Sequence, residues 1–228
     1  MLRSNETLLG QNPPQSQYLE AYRRLRANLL ALREEQPFKS ILVTSALPNE
    51  GKTCVMLNLS TIMAQGGLRV IVVDADFAHP RLHEEWQLRE SPGLTDACCT
   101  ARLAVDSVIQ ETELPLLKAV PAGDATEAGP DLASGTVMAE VLQELGQRAD
   151  LVIVDSAPVL GYAGTLQLAR MVDCVLLVAR ARGSVGPVRR ALKLLKDIGR
   201  DVRGIIVNDI LEQDEAHPYY YATSSKPY

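Results

Sequence analysis

Eight residues, Ala46, Leu47, Pro48, Asn49, Glu50, Gly51, Lys52 and Thr53, stand between the apolar run SILVTS at 40–45 and an apolar stretch of helical pattern at 52–65. A loop of this kind between strand and helix cradles phosphate, because its backbone N–H groups and the positive end of the helix both face the anion. Gly51 lets the chain approach closely. Lys52 supplies a point charge for β and γ oxygens, and the Thr53 hydroxyl completes the shell of a magnesium ion. Residues 46–54, from Ala46 to Cys54, are therefore read as nucleotide-binding and as a Walker A loop. Ala46 replaces the glycine that usually opens such a loop. A Gly-Lys-Thr turn opening an ordinary helix is the bland alternative, and the flanking strand and helix speak against it.

Two further runs end in acid. RVIVVD at 69–74 closes on Asp74, with Asp76 two residues on, and LVIVD at 151–155 closes on Asp155. Acids at the C-terminal tips of parallel strands sit where ligands gather in an open sheet. At a spacing of two, Asp74 and Asp76 can share a magnesium shell and orient an attacking hydroxyl, although aspartate is also simply a good turn former. Asp155 has the position of a Walker B acid. The resulting expectation makes Lys52, Asp74 and Asp76 catalytic and Thr53, Asp74 and Asp155 metal-holding, with the choice between Asp74 and Asp76 at the metal left open. His79 and His83 lie four apart beside Glu84, a spacing that binds metal on a helix, but no third ligand accompanies them.

The elements that position these residues follow from periodicity. Leu19, Tyr22, Leu25, Leu29 and Leu32 recur at helical steps in 16–35, after a polar arm at 1–15. Runs at 40–45, 69–74, 115–120, 151–155, 174–179 and 204–208 are nearly continuous in Val, Ile and Leu, as strands buried on both faces are. Helices are expected at 52–65, 135–147, 163–171 and 185–198, with Gly66 and Gly199 as stops. The fold class is therefore α/β: a doubly wound, mostly parallel sheet with helices on both faces, of P-loop NTPase type with Walker A, A-prime and B motifs. One domain at 16–211 and a tail at 212–228 account for the chain, and residues 80–112 carry no clear pattern.

Composition sets the outer limits. With 228 residues, 46% hydrophobic and 22% charged, the chain can bury one sizeable core. Its net charge of -5 leaves no global footprint for nucleic acid. No apolar run is long enough to cross a membrane or to serve as a secretory signal, so a cytoplasmic protein is expected. Cys54, Cys98, Cys99 and Cys174 lack the spacing of a disulfide framework or a zinc site.

Together the loop at 46–53, the run ending in Asp74-Ala75-Asp76 and LVIVDSAPVL at 151–160 resemble the bacterial tyrosine kinases of capsule and exopolysaccharide synthesis. Glu20, Arg23 and Arg26 match the helix with which that family assembles into rings, and Tyr219, Tyr220, Tyr221 and Tyr228 are similar to its phosphorylated tail. The resemblance implies an ATP- and magnesium-dependent protein-tyrosine autokinase acting in trans within a ring and regulating polysaccharide polymerisation and export. It further implies a membrane-bound chain-length regulator that activates the kinase and recruits it to the inner face of the membrane, a cognate tyrosine phosphatase, and an adenine-reading role for Asn208.

The chain departs from that pattern in three places. Ala78 stands where the family carries arginine, with Arg81 one turn away as a substitute. Gly161, Tyr162, Ala163 and Gly164 lack an expected aspartate, and Gly129-Pro130-Asp131-Leu132 replaces Asn-Pro-x-Glu-Leu. A degenerate scaffold that only binds nucleotide is one alternative. Another is a partitioning or division-site ATPase switch, whose second lysine would fall where Leu47 stands.

Overall fold

The computed structural model describes residues 17–99, 104–124 and 135–210. The helix expected from the leucine stripe is α1 (Gln17–Glu35), followed by β1 (Ser40–Ser45), α2 (Lys52–Gln65), β2 (Val70–Ala75), α3 (Leu82–Glu85) and α4 (Leu94–Cys99). A 3-10 turn at Val105–Ser107 leads to β3 (Gln110–Glu111) and β4 (Leu117–Val120). Then follow α5 (Thr136–Arg148), β5 (Leu151–Ser156), α6 (Ala163–Met171), β6 (Cys174–Arg180), α7 (Val185–Asp197) and β7 (Val202–Asn208).

Seven strands form one sheet in the order β3-β4-β2-β5-β1-β6-β7. All neighbours pair in parallel except β3, which joins β4 antiparallel through Gln110 and Ala119. The continuous apolar runs are explained by strand alternation. In β1, Ile41 and Val43 pack with Leu29, Met56 and Leu59 on the α1/α2 face. Leu42 points the other way, toward Met138, Leu145, Leu168 and Leu195 of α5, α6 and α7. Burial on both faces is the condition under which a parallel sheet has no polar side.

Acids also close the sheet at the N-terminal ends of its strands. Asp173 accepts the backbone N–H of Lys39 and Ser40, both at 2.9 Å, and the Ser40 hydroxyl at 2.8 Å, clasping β6 to β1. Asp150 accepts the Arg69 N–H at 2.9 Å and its Nη2 at 2.7 Å, clasping β5 to β2.

Several expectations shift. The strand expected at 115–120 is confined to Leu117–Val120, and the one at 69–74 runs one residue later. The described residues of 80–112 form two short helices, a 3-10 turn and a two-residue strand, all too short to show a period. The run at 204–208 is not covered on both faces. It lies in edge strand β7, whose residues alternate between half-buried and exposed, with Ile205 48% and Val207 51% exposed. No helix among the described residues is long and apolar enough to cross a membrane.

Candidate active site

The expected site residues converge at the C-terminal edge of the central strands. The loop between β1 and α2 turns on Gly51, whose φ of 88° lies in the left-handed region. A Cβ there would occupy the place of the Asn208 side-chain amide. Asn208, the last residue of β7, reaches over the loop and donates from Nδ2 to the Glu50 carbonyl at 3.1 Å. Glu50 is itself buried and accepts the Leu47 N–H at 2.9 Å. A carboxylate oxygen thus already rests on one of the loop's backbone donors, so this loop is built to receive an anion. Ala46 is fully buried, Pro48 and Asn49 line the cleft, and Asn49 has a φ of 62°.

Lys52 opens α2 and places its ammonium 2.7 Å from Asp76 Oδ2. Thr53 donates its hydroxyl to Asp155 Oδ2 at 2.7 Å. Asp74 and Asp155 are register partners on adjacent parallel strands, so their carboxylates share one end of one strand pair. Asp74 is held by three backbone donors: Asp76 N–H at 3.1 Å on Oδ1, with Arg81 N–H at 2.9 Å and Leu82 N–H at 3.0 Å on Oδ2. These take three of the roughly four acceptor positions of a carboxylate, and they bind the 76–82 segment to the tip of β2.

Asp74, Asp76 and Asp155 are each about 1–2% exposed, and the Lys52 ammonium stands against them. Burial pushes the Asp155 carboxyl up to about 7. Lys52 opposes the rise, nearby Asp74 reinforces it, and the Thr53 hydroxyl opposes it. Burial also raises Asp74, against its three backbone donors and with a contribution from Asp76. A crowd of carboxylates short of positive charge, ringed by hydroxyl and carboxylate oxygens, fits a hard divalent cation such as magnesium. The residues present therefore suit both a nucleotide triphosphate and its counter-ion.

The cleft has a volume of about 390 Å³. Besides the loop, Lys52, Thr53, Cys54 and Asp76, its wall includes residues that the motifs do not assign to the site: His79, Glu85, Pro158 and Tyr162. His79 and Pro158 carry a weak signal, since each lies a few residues beyond a strand tip at the ligand-bearing edge. Arg81, three residues after Ala78, also lines it. Cys54 joins this cleft to α1, lying 3.6 Å from the Tyr18 hydroxyl, and Asn58 donates to that hydroxyl at 2.7 Å.

Not all candidates meet here. Glu20 and Arg23 form an exposed pair at 3.7 Å on α1, while Arg26 turns inward and donates to the Ile62 carbonyl at 3.1 Å, near the end of α2. His79 lies outside the short helix that carries His83 and Glu84, so the two histidines do not form the helical metal spacing. Tyr219, Tyr220, Tyr221, Tyr228, the arm at 1–15 and residues 129–132 lie outside the described residues.

Residues 41–220 match the family of CobQ/CobB/MinD/ParA nucleotide binding domains. EpsB of Ralstonia solanacearum is 30% identical over 225 residues, covering 98% of this chain and 29% of that protein. The chain thus spans less than a third of EpsB. The tyrosine-protein kinase YwqD of Bacillus subtilis is 27% identical over 222 residues, covering 97% of this chain and 93% of YwqD. Among solved structures, the kinase domain of the Escherichia coli tyrosine kinase ETK superimposes with a TM-score of 0.83 at 25% identity, covering 94% of this chain and 81% of that one. The doubly wound P-loop fold and the resemblance to bacterial tyrosine kinases are both borne out.

Proposed function

This chain belongs to the CobQ/CobB/MinD/ParA nucleotide binding domain family, and from that premise we propose that it is an ATP-dependent protein-tyrosine autokinase of capsule or exopolysaccharide synthesis. The observation that carries the reading is the meeting of Lys52 with Asp76 and of Thr53 with Asp155, 2.7 Å apart in each case, at one open strand edge.

Thr53, Asp74 and Asp155 would hold magnesium, which when bound would supply charge neutralisation for the transferring phosphoryl group. The chain's own residues do the rest. Gly51 and the loop N–H groups grip the phosphates, and Lys52 moves from Asp76 onto them. That exchange releases Asp76 to receive and orient a tyrosine hydroxyl. Such a hydroxyl, with an ordinary pKa near 10, arrives neutral and needs alignment more than deep proton abstraction. Asp74, holding three backbone N–H groups, keeps Asp76 and Arg81 in place. Arg81 supplies the positive charge lacking at Ala78, and Asn208 reaches toward the base.

The acceptors are Tyr219, Tyr220, Tyr221 and Tyr228, presented in trans by a neighbour in a ring built through Glu20, Arg23 and Arg26 on the 16–35 helix. Each phosphate adds about two negative charges, and their mutual repulsion loosens the ring. A membrane-bound chain-length regulator recruits the kinase from the cytoplasm to the membrane and activates it, and a tyrosine phosphatase resets it. The arm at 1–15, the domain at 16–211 and the tail at 212–228 divide the chain accordingly.

Incubation with ATP and magnesium, followed by mass spectrometry of the tail in native and Lys52→Met chains, tests this reading. Phosphate on Tyr219–Tyr221 in the native chain alone supports the kinase. ATP hydrolysis without labelling would mean a partitioning-type switch, against which Leu47 stands in place of a second lysine. Bound nucleotide with neither activity would mean a scaffold.

A further inference from the structure

Helix α7 carries a charge pattern found nowhere else in the described chain. Residues 182–196 include Arg182, Arg189, Arg190, Lys193 and Lys196 and no acid, the helix's one acid being its last residue, Asp197, in a protein whose net charge is -5. Arg189, Arg190, Lys193 and Lys196 are exposed, while Ala191 and Leu195 on the opposite side are buried in the core. The three residues Arg189, Lys193 and Lys196, spaced by four and three, form one continuous stripe. Among the described residues none of these four cations is joined to an acid. Apolar side chains flank the stripe: Val185 is 61% exposed and Leu194 38%.

The root of the C-terminal segment lies at the start of this helix. Arg180 holds Asp209 at 2.7 Å, and the Ala181 N–H donates to the Asn208 carbonyl at 2.9 Å. The chain therefore leaves β7 beside the segment that enters α7. Its remaining residues are acidic and then aromatic: Glu212, Asp214 and Glu215 precede Tyr219, Tyr220 and Tyr221. Residues 211–228 can span about 60 Å when extended, whereas the 13 residues of α7 measure about 20 Å. Charge and reach both match.

We propose that the basic face of α7 is the docking surface for this chain's own C-terminal segment, with Glu212, Asp214, Glu215 and the phosphates of Tyr219–Tyr221 seated on Arg189, Arg190, Lys193 and Lys196. The phosphate part rests on the kinase reading above; the acidic part does not. Each phosphate brings up to two charges and three acceptor oxygens, and arginine pairs with them bidentately. Unphosphorylated tyrosines also stack on guanidinium groups. The modified tail thus has a resting place away from the cleft, where it no longer competes for the site that modified it.

The test uses the full chain with phosphotyrosine installed at Tyr220 during translation, so that it does not depend on the chain's own kinase activity. Amide resonances are compared with those of Tyr220→Phe. Expected are shifts confined to residues 182–196 and their neighbours, reversed in about 0.5 M salt as screening shortens to a few ångströms. They should be lost in Arg189→Glu/Lys193→Glu, whose fold is checked by its thermal midpoint. Unchanged resonances over 182–196, or equal shifts in the charge-reversed chain, overturn the proposal. So does capture by phosphatidylglycerol vesicles through these residues in a chain whose tail leaves them unperturbed. Labelling of the tail by ATP, measured separately, reports on the kinase reading alone.

Discussion

The two ends of the same strands treat aspartate in opposite ways. At the N-terminal edge, burial alone would raise Asp173, but the N–H of Lys39 and the N–H and hydroxyl of Ser40 outweigh it and hold the group below its ordinary value. The side-chain and backbone hydrogen bonds of Arg69 hold Asp150 down at about 2. At the C-terminal edge, burial raises Asp74 and carries Asp155 to about 7. The first pair is fully answered by donors and fastens strands together. The second is crowded, buried and short of cations, which is stable only because the surrounding sheet is. Structure and function in this fold thus separate along the strand axis.

Removing the cation at each end gives the largest contrast. Lys52→Met should reduce tail phosphorylation by about a thousandfold or more, whereas Arg69→Met, at the other end of the strands, should leave it within about twofold; tail mass spectrometry reads both. Equal losses would erase the distinction. Gly51→Ala comes next, since its Cβ meets the Asn208 amide at a φ of 88°. It should weaken ATP binding by about tenfold or more and cost about 1–3 kcal/mol of stability, as calorimetry and thermal melts would show.

Neutralising one acid at each edge should give opposite signs. In magnesium-free buffer at neutral pH, Asp155→Asn relieves a buried charge and should raise the thermal midpoint by about 2–4 °C, for about 1 kcal/mol, while reducing activity. Asp173→Asn gives up charge-assisted bonds to Lys39 and Ser40 and should lower the midpoint by a similar amount. Two shifts of the same sign would contradict the contrast between the edges. The smallest effect lies at low pH. Asp150 is depressed to about 2, so its contribution is present above the ordinary carboxylate value near 4 and is lost as pH falls toward 2. Asp150→Asn should lower stability slightly near pH 7 and flatten the acid-unfolding curve over that window, so that the variant and the native chain converge near pH 2.

Much of the active edge is legible in the sequence, because Gly51-Lys52-Thr53 and the acids ending two apolar runs couple residue type to a position that only a strand tip provides. The two-sided core is legible too, since Ile41, Leu42 and Val43 can all be apolar only where both faces are covered. The hidden features depend on partners far away in the chain. Nothing in GIIVN at 204–208 distinguishes an edge strand from a central one; the edge is set by which strand fails to find a second neighbour. The brace on Asp74 is also out of reach, because its donors at Arg81 and Leu82 belong to a four-residue helix too short to show a period. Arg26, grouped with Glu20 and Arg23 by spacing, turns instead to α2 because the carbonyl end of that helix attracts a cation.

Every functional step above requires that the edge formed by Gly51–Thr53, Asp74, Asp76 and Asp155 grip a triphosphate together with its divalent counter-ion. Isothermal titration of the native chain with a non-hydrolysable ATP analogue, with magnesium and then with EDTA, measures that grip. Saturable one-to-one binding is expected, weakening about tenfold or more when magnesium is withdrawn and falling likewise in Thr53→Ala. Binding of equal strength in EDTA, or none in either buffer, would contradict it.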